Sequence, residues 1–426
     1  MDRFVIEGRH PLTGTVIPSG NKNAALPMLA AAILTDEKVV LKNVPRIKDI
    51  EIMGRIISGL GVDIEETGDR ELTVQAKTVK TTELDRDLCR HIRACILLAG
   101  PVLARCGHIS MPPPGGDVIG RRRVDTHLMA LKSLGAEIEI GQGYEMRASG
   151  LRGQEIFLDE ASVTGTENAL MAACTSRGRT IIRNAASEPH VQDLALFLNK
   201  LGARISNIGT NTLIVDGVEK LHGAEYELGP DHIEIGSLIG AAAVTKGEIL
   251  LKNTVPEHLR MTLLTFARLG ISVEIRGQDI FVPGDQSLRI VADAHGVVPR
   301  IDDGPWPAFP ADLMSIATVV ATQCDGTILM FEKMYESRMF FVDKLFSMGA
   351  RIILCDPHRA IVMGPARLHG EMLTSPDIRA GMAMLLAALC AEGHSTINNV
   401  GQIDRGYERI DEKLRALGAQ IERVPS

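Results

Sequence analysis

Residues 112–127, which read PPPGGDVIGRRRVDTH, bring together residue types that often act on charged ligands. A Gly-Gly pair lets the backbone turn tightly and approach a ligand closely, and arginine side chains bind phosphate and carboxylate groups. A single acid, Asp117, lies between the glycines and the arginines. Because an ionised carboxylate repels an anion, the stretch is either a solvated basic turn before a helix or a site where this acid has a role of its own.

Three further sets of residues could hold or act on an anion. The stretch PSGNKNAALPMLAA (18–31) places Lys22 and Asn23 at the start of a predicted helix, where free N–H groups attract anions. The stretch GPWPAFPADLMS (304–315) leads through three prolines to Asp312. The third set consists of arginines in YESRMF, SPDIRAG and IDRGYERI: Arg338, Arg379 and Arg405. Taken alone, each set also fits an ordinary helix cap or surface residues.

The composition narrows the class of protein. A chain of 426 residues with 45% hydrophobic and 23% charged residues is typical of a globular protein of two or three domains. The net charge of −7 argues against a nucleic-acid surface. Seven scattered cysteines without a C-x-x-C motif disfavour a disulfide framework or metal cluster and favour a reducing cytoplasm. No run reaches the roughly 18 apolar residues of a membrane span, and the stretch MDRFVIEG is unlike a signal peptide.

The chain repeats one unit six times. The pattern LGxxI or a close variant recurs with its glycine at residues 61, 135, 202, 270, 349 and 418, each after a helical apolar pattern and before strand-like residues. This order predicts a helix, a left-handed glycine cap and a strand. Ala-rich helices that enter short strands form a second signature, and we expect them to be buried. Six units of about 70 residues favour two domains of three units each.

Across its length the sequence resembles the UDP-N-acetylglucosamine 1-carboxyvinyltransferase family of enolpyruvyl transferases. The resemblance rests on GxKNAALP, PGGxxIGxRxVDxH, AFPxD and IDRGYERIxxKLRALGA, in that order. It implies an inside-out α/β barrel of two similar domains, each built of three βαβαββ-type units. One domain would span residues 22–229 with a catalytic lid loop at about 112–123. The other would combine residues 1–21 with 230–426, and the active site would lie in the cleft between the domains.

The resemblance also implies a reaction. The enolpyruvyl group of phosphoenolpyruvate passes to the 3′-hydroxyl of UDP-N-acetylglucosamine by addition and elimination, phosphate is released, and the product enters peptidoglycan synthesis. The reaction needs no metal and no cofactor. Asp117 stands where most relatives carry a cysteine, and we expect it to donate the proton to the methylene carbon. Aspartic acid is ionised at neutral pH when free, so the bound trianion and the exclusion of water must keep Asp117 protonated.

The family pattern assigns roles to further residues. Asp312 is the expected general base for the sugar hydroxyl, Lys22 and Arg405 complete the catalytic set, and Asp377 supports the same site. The residues expected to bind phosphoenolpyruvate are Lys22, Asn23, Arg122, Arg338, Arg379 and Arg405. The residues expected to bind the UDP-sugar are Asn23, Arg93, Arg122, Arg123, Val124, Asp125, Thr126, Glu160, Ser162, Val163, Asp312 and Met334.

Four positions depart from the family pattern, and we expect all four to lie towards the nucleotide. Relatives often carry proline at Arg123, lysine at Glu160, arginine at His232 and, in some cases, tryptophan at Leu97. These departures leave two other acceptors open, namely a different nucleotide and shikimate 3-phosphate, although the shikimate enzymes typically read GSKS where this chain reads GNKN. A non-catalytic ring of repeated units, such as a sliding clamp, is a third alternative.

Overall fold

The structure, a computed structural model, describes residues 2–117 and 119–425, which form two units, each with its own hydrophobic core. The first unit contains residues 2–19, 119–121 and 230–425, and the second contains residues 20–117 and 122–229. The first boundary between the units lies after Ser19, whereas the sequence-based prediction places it after residue 21. Residues 119–121, which the prediction places inside the 22–229 domain, group with the first unit because Ser337 N donates to Ile119 O at 3.1 Å.

The bounds of the elements follow in chain order. The α-helices are α1 (Lys22–Ala31), α2 (Lys48–Gly59), α3 (Arg86–Cys89), α4 (Ala99–Cys106), α5 (Asp125–Ser133), α6 (Val163–Ala173), α7 (Pro189–Lys200), α8 (His232–Thr245), α9 (Arg260–Arg268), α10 (Met314–Gln323), α11 (Val342–Ser347), α12 (Ile378–Cys390) and α13 (Ile410–Ala416). The strands of the second unit are β3 (Lys38–Lys42), β4 (Asp63–Gly68), β5 (Glu71–Gln75), β6 (His108–Met111), β7 (Glu137–Ile140), β8 (Tyr144–Arg147), β9 (Glu155–Phe157), β10 (Arg179–Arg183), β11 (Arg204–Ser206), β12 (Thr212–Asp216) and β13 (Glu225–Glu227), after β1 (Arg3–Glu7) and β2 (Thr13–Val16) of the first. The remaining strands of the first unit are β14 (Glu248–Leu251), β15 (Glu274–Arg276), β16 (Asp279–Val282), β17 (Arg300–Asp302), β18 (Gly326–Phe331), β19 (Arg351–Asp356), β20 (Arg359–Gly364), β21 (Met372–Thr374), β22 (His394–Asn398) and β23 (Gln420–Val424).

One sheet topology recurs through both units. In the first unit the sheets have the orders β2-β14-β16-β15, β17-β18-β20-β19 and β21-β22-β1-β23. In each, the first pair is parallel and the other two pairs are antiparallel. The second unit repeats this pattern in β13-β3-β5-β4 and β9-β10-β12-β11. Its sheet β6-β8-β7 has a single parallel bridge, Glu83 to Ser110, in place of the fourth strand.

The predicted helix–glycine–strand units are confirmed. The glycines at 61, 135, 202, 270, 349 and 418 all have positive φ, between 82° and 103°. Each follows a helix, α2, α5, α7, α9, α11 or α13, and precedes the strand β4, β7, β11, β15, β19 or β23. Glycine is favoured there because other residues adopt this left-handed conformation only at an energetic cost.

The Ala-rich helices lie inside the units, as expected. Every residue of α8 and of α12 is buried, and so is every residue of α10 except Gln323. The strands instead alternate buried and more exposed residues, as in β22 and β14, so each sheet turns one face to the core and one outwards. This α/β arrangement, with helices inside and sheets outside, confirms the predicted fold class.

None of the helices in the described part of the chain combines the length and the apolar character needed to cross a bilayer.

Gly240 is the residue where α8 meets α10 and α12. A Cβ atom there would lie 2.9 Å from Ile316 Cγ2 and 3.3 Å from both Leu386 Cδ2 and Val320 Cγ2. We therefore expect Gly240→Val to lower the free energy of unfolding in urea by about 2 kcal/mol, the usual cost of overpacking a core. The matched control is Gly59→Ala at the end of α2, where a Cβ atom meets nothing within 4 Å; it should leave stability unchanged or raise it slightly. Equal effects of the two variants would contradict this packing.

Candidate functional site

Three predicted site residues of the first unit form a buried ion cluster. Asp312 accepts hydrogen bonds from Arg338 through Oδ1 and from Arg379 through Oδ2, the latter with Nε at 2.9 Å and Nη2 at 2.8 Å. The two arginine side chains are only 9% and 6% exposed, whereas that of Asp312 is 26% exposed. One carboxylate therefore lies between two guanidinium groups that are almost wholly withdrawn from water.

Short helical turns carry these side chains. Asp312 lies in a 3₁₀ turn, Ala311–Leu313, that follows Pro310 and leads into α10. Arg338 opens another 3₁₀ turn, Arg338–Phe341, before α11. Arg379 lies in the first turn of α12, where Asp377 is the N-cap and accepts hydrogen bonds from Arg379 N at 2.8 Å and Ala380 N at 2.9 Å. Asp377 thus supports the site by fixing the helix start, as such caps do.

The cluster remains charged despite its burial. Desolvation opposes the charge of Arg338, but nearby acids, Asp312 foremost, outweigh it and raise the pKa of Arg338. Desolvation likewise opposes the charge of Arg379, and Asp312 with Tyr407 raises the pKa of Arg379 above its ordinary value. Within residues 2–117 and 119–425, Arg338 Nε and Arg379 Nη1 are buried and find no hydrogen-bond acceptor. The cluster thus has two charged donors that could serve an anion.

Two neighbours extend this group. The ring of Tyr407 lies 5.3 Å from the Arg379 guanidinium, and its hydroxyl is 3.0 Å from Ser237 Oγ. Arg405 is half-buried in the 3₁₀ turn Val400–Arg405 and donates through Nη1 to Gln402 at 2.9 Å.

His232, which we expect to lie towards the nucleotide, is a buried residue of the first unit. His232 begins α8, is 3% exposed and meets the ring of Trp306 edge-on at 6.4 Å. Burial chiefly lowers the pKa of His232 to about 4, and the charges of both Arg379 and Asp312 affect it as well. Because those charges act over a short range, His232 belongs with the Asp312 cluster of the first unit, where it is a neutral imidazole at neutral pH.

Met334 and the end of the predicted lid share one loop of the first unit. Met334 is 38% exposed and precedes the turn that carries Arg338. Glu336, on the same loop, accepts a hydrogen bond from Arg121 N at 3.2 Å through Oε2. A side chain on Gly120 would collide with this carboxylate, since a Cβ atom would lie 2.2 Å from Glu336 Oε2.

In the second unit, Lys22 and Asn23 occupy the start of α1 as predicted. Asn21 caps the helix and accepts a hydrogen bond from Asn23 N at 2.8 Å. Lys22 Nζ lies 2.7 Å from Asp49 Oδ2, and both side chains are less than one-tenth exposed. A positive charge is therefore held at a helix N-terminus, which itself attracts anions.

Residues 89–93 contact both ends of the predicted lid that lie in the second unit, and Arg93 contacts its C-terminal end. Its Nη2 donates to Arg122 O at 2.6 Å and to Arg123 O at 2.9 Å. At the other end, Gly115 N donates to Cys89 O at 3.0 Å, and a Cβ atom on Gly115 would lie 1.8 Å from Arg90 O. The Gly-Gly pair thus serves close backbone packing. The next residue, Asp117, is half-buried.

The other residues predicted to bind the UDP-sugar gather around Asp159 and the start of α6. Asp159 accepts hydrogen bonds from Arg123 Nη2 at 2.8 Å and Thr126 Oγ1 at 2.6 Å, and the Thr126 bond is the main cause that lowers the pKa of Asp159. Ser162 caps α6 and accepts a hydrogen bond from Gly165 N at 3.2 Å. The neighbouring predicted residues range from half-buried to exposed: Val124, Asp125, Glu160 and Val163.

Two residues singled out in the sequence lie in the core of the second unit. His127 is 1% exposed and contacts Asn168 through Nδ1 at 2.8 Å and Thr164 through Nε2 at 3.0 Å. Burial lowers the pKa of His127 to about 3, so it is a neutral structural residue. Leu97 is 2% exposed and packs with the same core.

Several partners of the site are absent from the sequence-based prediction. They are Asp49, Asp159, Asp303, Glu332 and Tyr407. The first two hold Lys22 and Arg123 from distant elements, and no local pattern marks them. Tyr407 lies in the motif IDRGYERI, two residues after Arg405. The motif could therefore have identified Tyr407, but the prediction took only Arg405 from it. Among the described residues, no three His, Cys, Asp or Glu side chains are arranged to hold a metal ion.

Comparison with known proteins identifies the family. The sequence model of the family described as EPSP synthase (3-phosphoshikimate 1-carboxyvinyltransferase) matches residues 6–414. A UDP-N-acetylglucosamine 1-carboxyvinyltransferase of Bradyrhizobium diazoefficiens is 60% identical over 423 residues, which cover 99% of this chain and 98% of that protein. One of Treponema denticola with the same name is 54% identical over 422 residues, 99% of each chain.

Solved structures support the fold. The enolpyruvyl transferase NikO from Streptomyces tendae superposes with a TM-score of 0.87 at 24% identity, over 100% of this chain and 99% of that one. An EPSP synthase from Acinetobacter baumannii superposes with a TM-score of 0.77 at 18% identity, over 100% of both chains. The motifs, the repeated α/β units and the full-length relatives lead to one conclusion: this chain belongs to the enolpyruvyl transferase family that the EPSP synthase model describes.

Proposed function

We propose that this protein transfers the enolpyruvyl group of phosphoenolpyruvate to the 3′-hydroxyl of UDP-N-acetylglucosamine and releases phosphate. The observation that carries the proposal is the buried cluster of Arg338, Arg379 and Asp312, since it offers charged donors to an anion beside a carboxylate that can accept a proton. The names of the full-length relatives support this donor and acceptor pair. The product would serve peptidoglycan synthesis in the cytoplasm.

Arginine suits the small trianionic donor. Phosphoenolpyruvate carries a carboxylate and a phosphate, and guanidinium groups bind both in two-pronged geometry. Arg338 Nε and Arg379 Nη1 are the N–H donors that would bind its oxygens, and Arg405 would supply a third guanidinium group. Lys22, Asn23 and Arg122 of the second unit would act on the phosphate of the same substrate.

The chemistry needs one acid and one base. Asp117 would protonate the methylene carbon, while Asp312 takes the proton of the 3′-hydroxyl and the sugar oxygen bonds to the central carbon. This addition forms a tetrahedral ketal that still carries the phosphate. Loss of a methyl proton and departure of phosphate then restore the carbon–carbon double bond. Asp312 becomes a better proton acceptor once an anionic substrate binds the same two arginines, because the added negative charge nearby raises the pKa of the carboxylate.

The acceptor distinguishes the proposed function from its alternatives. Arg93, Arg123, Asp125, Thr126, Glu160, Ser162, Val163 and Met334 would contact the UDP-sugar. Glu160 is an exposed acid, and a diphosphate does not favour an acid beside it, so a different nucleotide stays the second candidate.

The direct test of the function is phosphate release. We expect release from phosphoenolpyruvate with UDP-N-acetylglucosamine, and none with shikimate 3-phosphate. Arg379→Lys should lower kcat/KM by about 100-fold or more, because the lysine loses the two-pronged geometry. Arg359→Lys, a change at an exposed ion pair with Asp356, should leave the rate unchanged. Turnover with shikimate 3-phosphate alone would refute the proposed acceptor.

Variants of Asp117 test the proton donor. Asp117→Asn should lower kcat by about 100-fold or more, as loss of a general acid does. Asp117→Cys should remain active and become sensitive to the epoxide fosfomycin, because thiolates attack epoxides readily and carboxylates do so poorly. Near-normal turnover by Asp117→Asn, or rapid inactivation of the unchanged protein by fosfomycin, would show that the assignment is wrong.

The ion cluster itself can be tested without turnover. Asp312→Asn leaves two buried guanidinium groups without their carboxylate, so we expect the free energy of unfolding to fall by about 3 kcal/mol. Inorganic phosphate should raise the Tm of this variant more than that of the unchanged protein, because the anion replaces the lost charge. The control is Asp302→Asn, whose partner Lys333 is 43% exposed; its effect should stay below about 1 kcal/mol. An equal phosphate effect on all three proteins would place the anion site elsewhere.

A further inference from the structure

Two buried acidic residues follow the neighbouring strands β17 and β18 of the first unit. Strands β17 and β18 run parallel, with Asp302 opposite Phe331, so the next residues, Asp303 and Glu332, leave the sheet side by side. The two side chains are close enough for Asp303 to affect the pKa of Glu332. Asp303 is 2% exposed and Glu332 is 0% exposed.

Each carboxyl group uses one oxygen for backbone donors. Glu332 Oε1 accepts hydrogen bonds from Met334 N at 3.3 Å and Tyr335 N at 3.1 Å. Asp303 Oδ1 accepts one from Lys333 N. The other two oxygens, Glu332 Oε2 and Asp303 Oδ2, are buried, and no hydrogen-bond donor among the described residues reaches them. A proton on one of the two carboxyl groups would pair these oxygens, whereas two ionised carboxylates in contact would repel each other.

The surrounding groups do not replace that proton. Burial is the chief cause that raises the pKa of Glu332 to about 9, Asp303 adds to the rise, and only Arg338 and the backbone at Tyr335 oppose it. His358 contacts the backbone of Glu332: His358 O accepts a hydrogen bond from Glu332 N at 2.8 Å, and the His358 ring contacts Glu332 O at 2.7 Å.

The charges nearby pair with other groups. Lys333 Nζ and Arg300 pair with Asp302. The imidazole of His358 therefore faces a backbone oxygen, and Lys333 faces a different carboxylate, so neither supplies a donor to the carboxyl pair.

Asp303 and Glu332 are the first residues of the two segments that carry Asp312 and Arg338. Residues 303–312 lead from β17 to Asp312, and residues 332–338 lead from β18 to Arg338. The segments meet again where Arg338 donates to Asp312. A bond between Asp303 and Glu332 would therefore help to fix the geometry of the ion pair between Asp312 and Arg338.

We propose that Glu332 and Asp303 share one proton, with Glu332 Oε2 as donor and Asp303 Oδ2 as acceptor, and that this bond positions Arg338 and Asp312 for the reaction. Both are positioning residues, since neither touches the proposed substrates. The part of the inference that concerns catalysis rests on the proposed function. Loss of the shared proton in alkali would leave two carboxylates that repel each other and would loosen both segments.

The first test uses stability, which does not depend on substrate. The folded protein keeps a proton on Glu332 up to about pH 9, whereas the unfolded chain releases it near pH 4.5. Stability from this group is therefore complete below about pH 4.5 and is lost as the pH rises towards 9. The side-chain amide introduced by Glu332→Gln offers the same hydrogen bonds without titrating, so the Tm of that variant minus that of the unchanged protein should rise from pH 5.5 to 8.5. A constant difference would overturn the shared proton.

The second test uses the pH dependence of turnover. A group with a pKa of about 9 is roughly three-quarters deprotonated at pH 9.5. The fall in kcat/KM for phosphoenolpyruvate between pH 7.5 and 9.5 should therefore be about fourfold smaller in Glu332→Gln than in the unchanged protein. Asp303→Asn should reduce the fall in the same way, because its amide donates the bond. Glu274→Gln, at an exposed ion pair with Arg276, should leave the profile unchanged.

The outcomes separate the two proposals. Identical pH profiles in all four proteins would overturn the positioning role. An unchanged protein without any turnover would refute the proposed function, while the stability curves would still decide the shared proton.

Discussion

The site depends on the balance of charge between Asp312 and two buried guanidinium groups. Arg338 and Arg379 are almost completely withdrawn from water, and a cation in that position is tolerated only beside a compensating charge. One carboxylate supplies it and leaves Arg338 Nε and Arg379 Nη1 without acceptors in the described part of the chain. A buried ion cluster of this kind contributes little net stability, so its presence is better explained by recognition of an anion than by folding.

The repeated architecture explains how such a cluster can be held. Helices α8, α10 and α12 form a rigid interior of small and aliphatic residues. The residues of the cluster lie where the regular elements begin, on the 3₁₀ turns before α10 and α11 and on the first turn of α12. The repeated helices thus form the interior of the unit, and the residues of the cluster lie on the turns where those helices begin. Tyr407 lies against Arg379, and the charge of Arg379 also acts on His232; neither residue adds a permanent charge.

The repeated part of the fold could be predicted from local sequence, because a left-handed glycine after a helical pattern is a local property. Gly61 and Gly418 illustrate this at the two ends of the chain. Contacts between distant elements have no such signature. The pairing of Lys22 with Asp49, and that of Glu332 with Asp303, depends on helix packing and strand register. The contact of His232 with Trp306 could not be predicted for the same reason, since Trp306 comes from a remote segment.

The central claim is that Arg338 and Arg379 bind phosphoenolpyruvate through the two nitrogen atoms, Nε and Nη1 respectively, that do not contact Asp312. A crystal structure of the protein grown with phosphoenolpyruvate tests this most directly. We expect oxygens of the ligand about 3 Å from Arg338 Nε and Arg379 Nη1, as in charge-assisted hydrogen bonds. Phosphoenolpyruvate bound at a distance from both arginines, with their contacts to Asp312 unchanged, would contradict the claim.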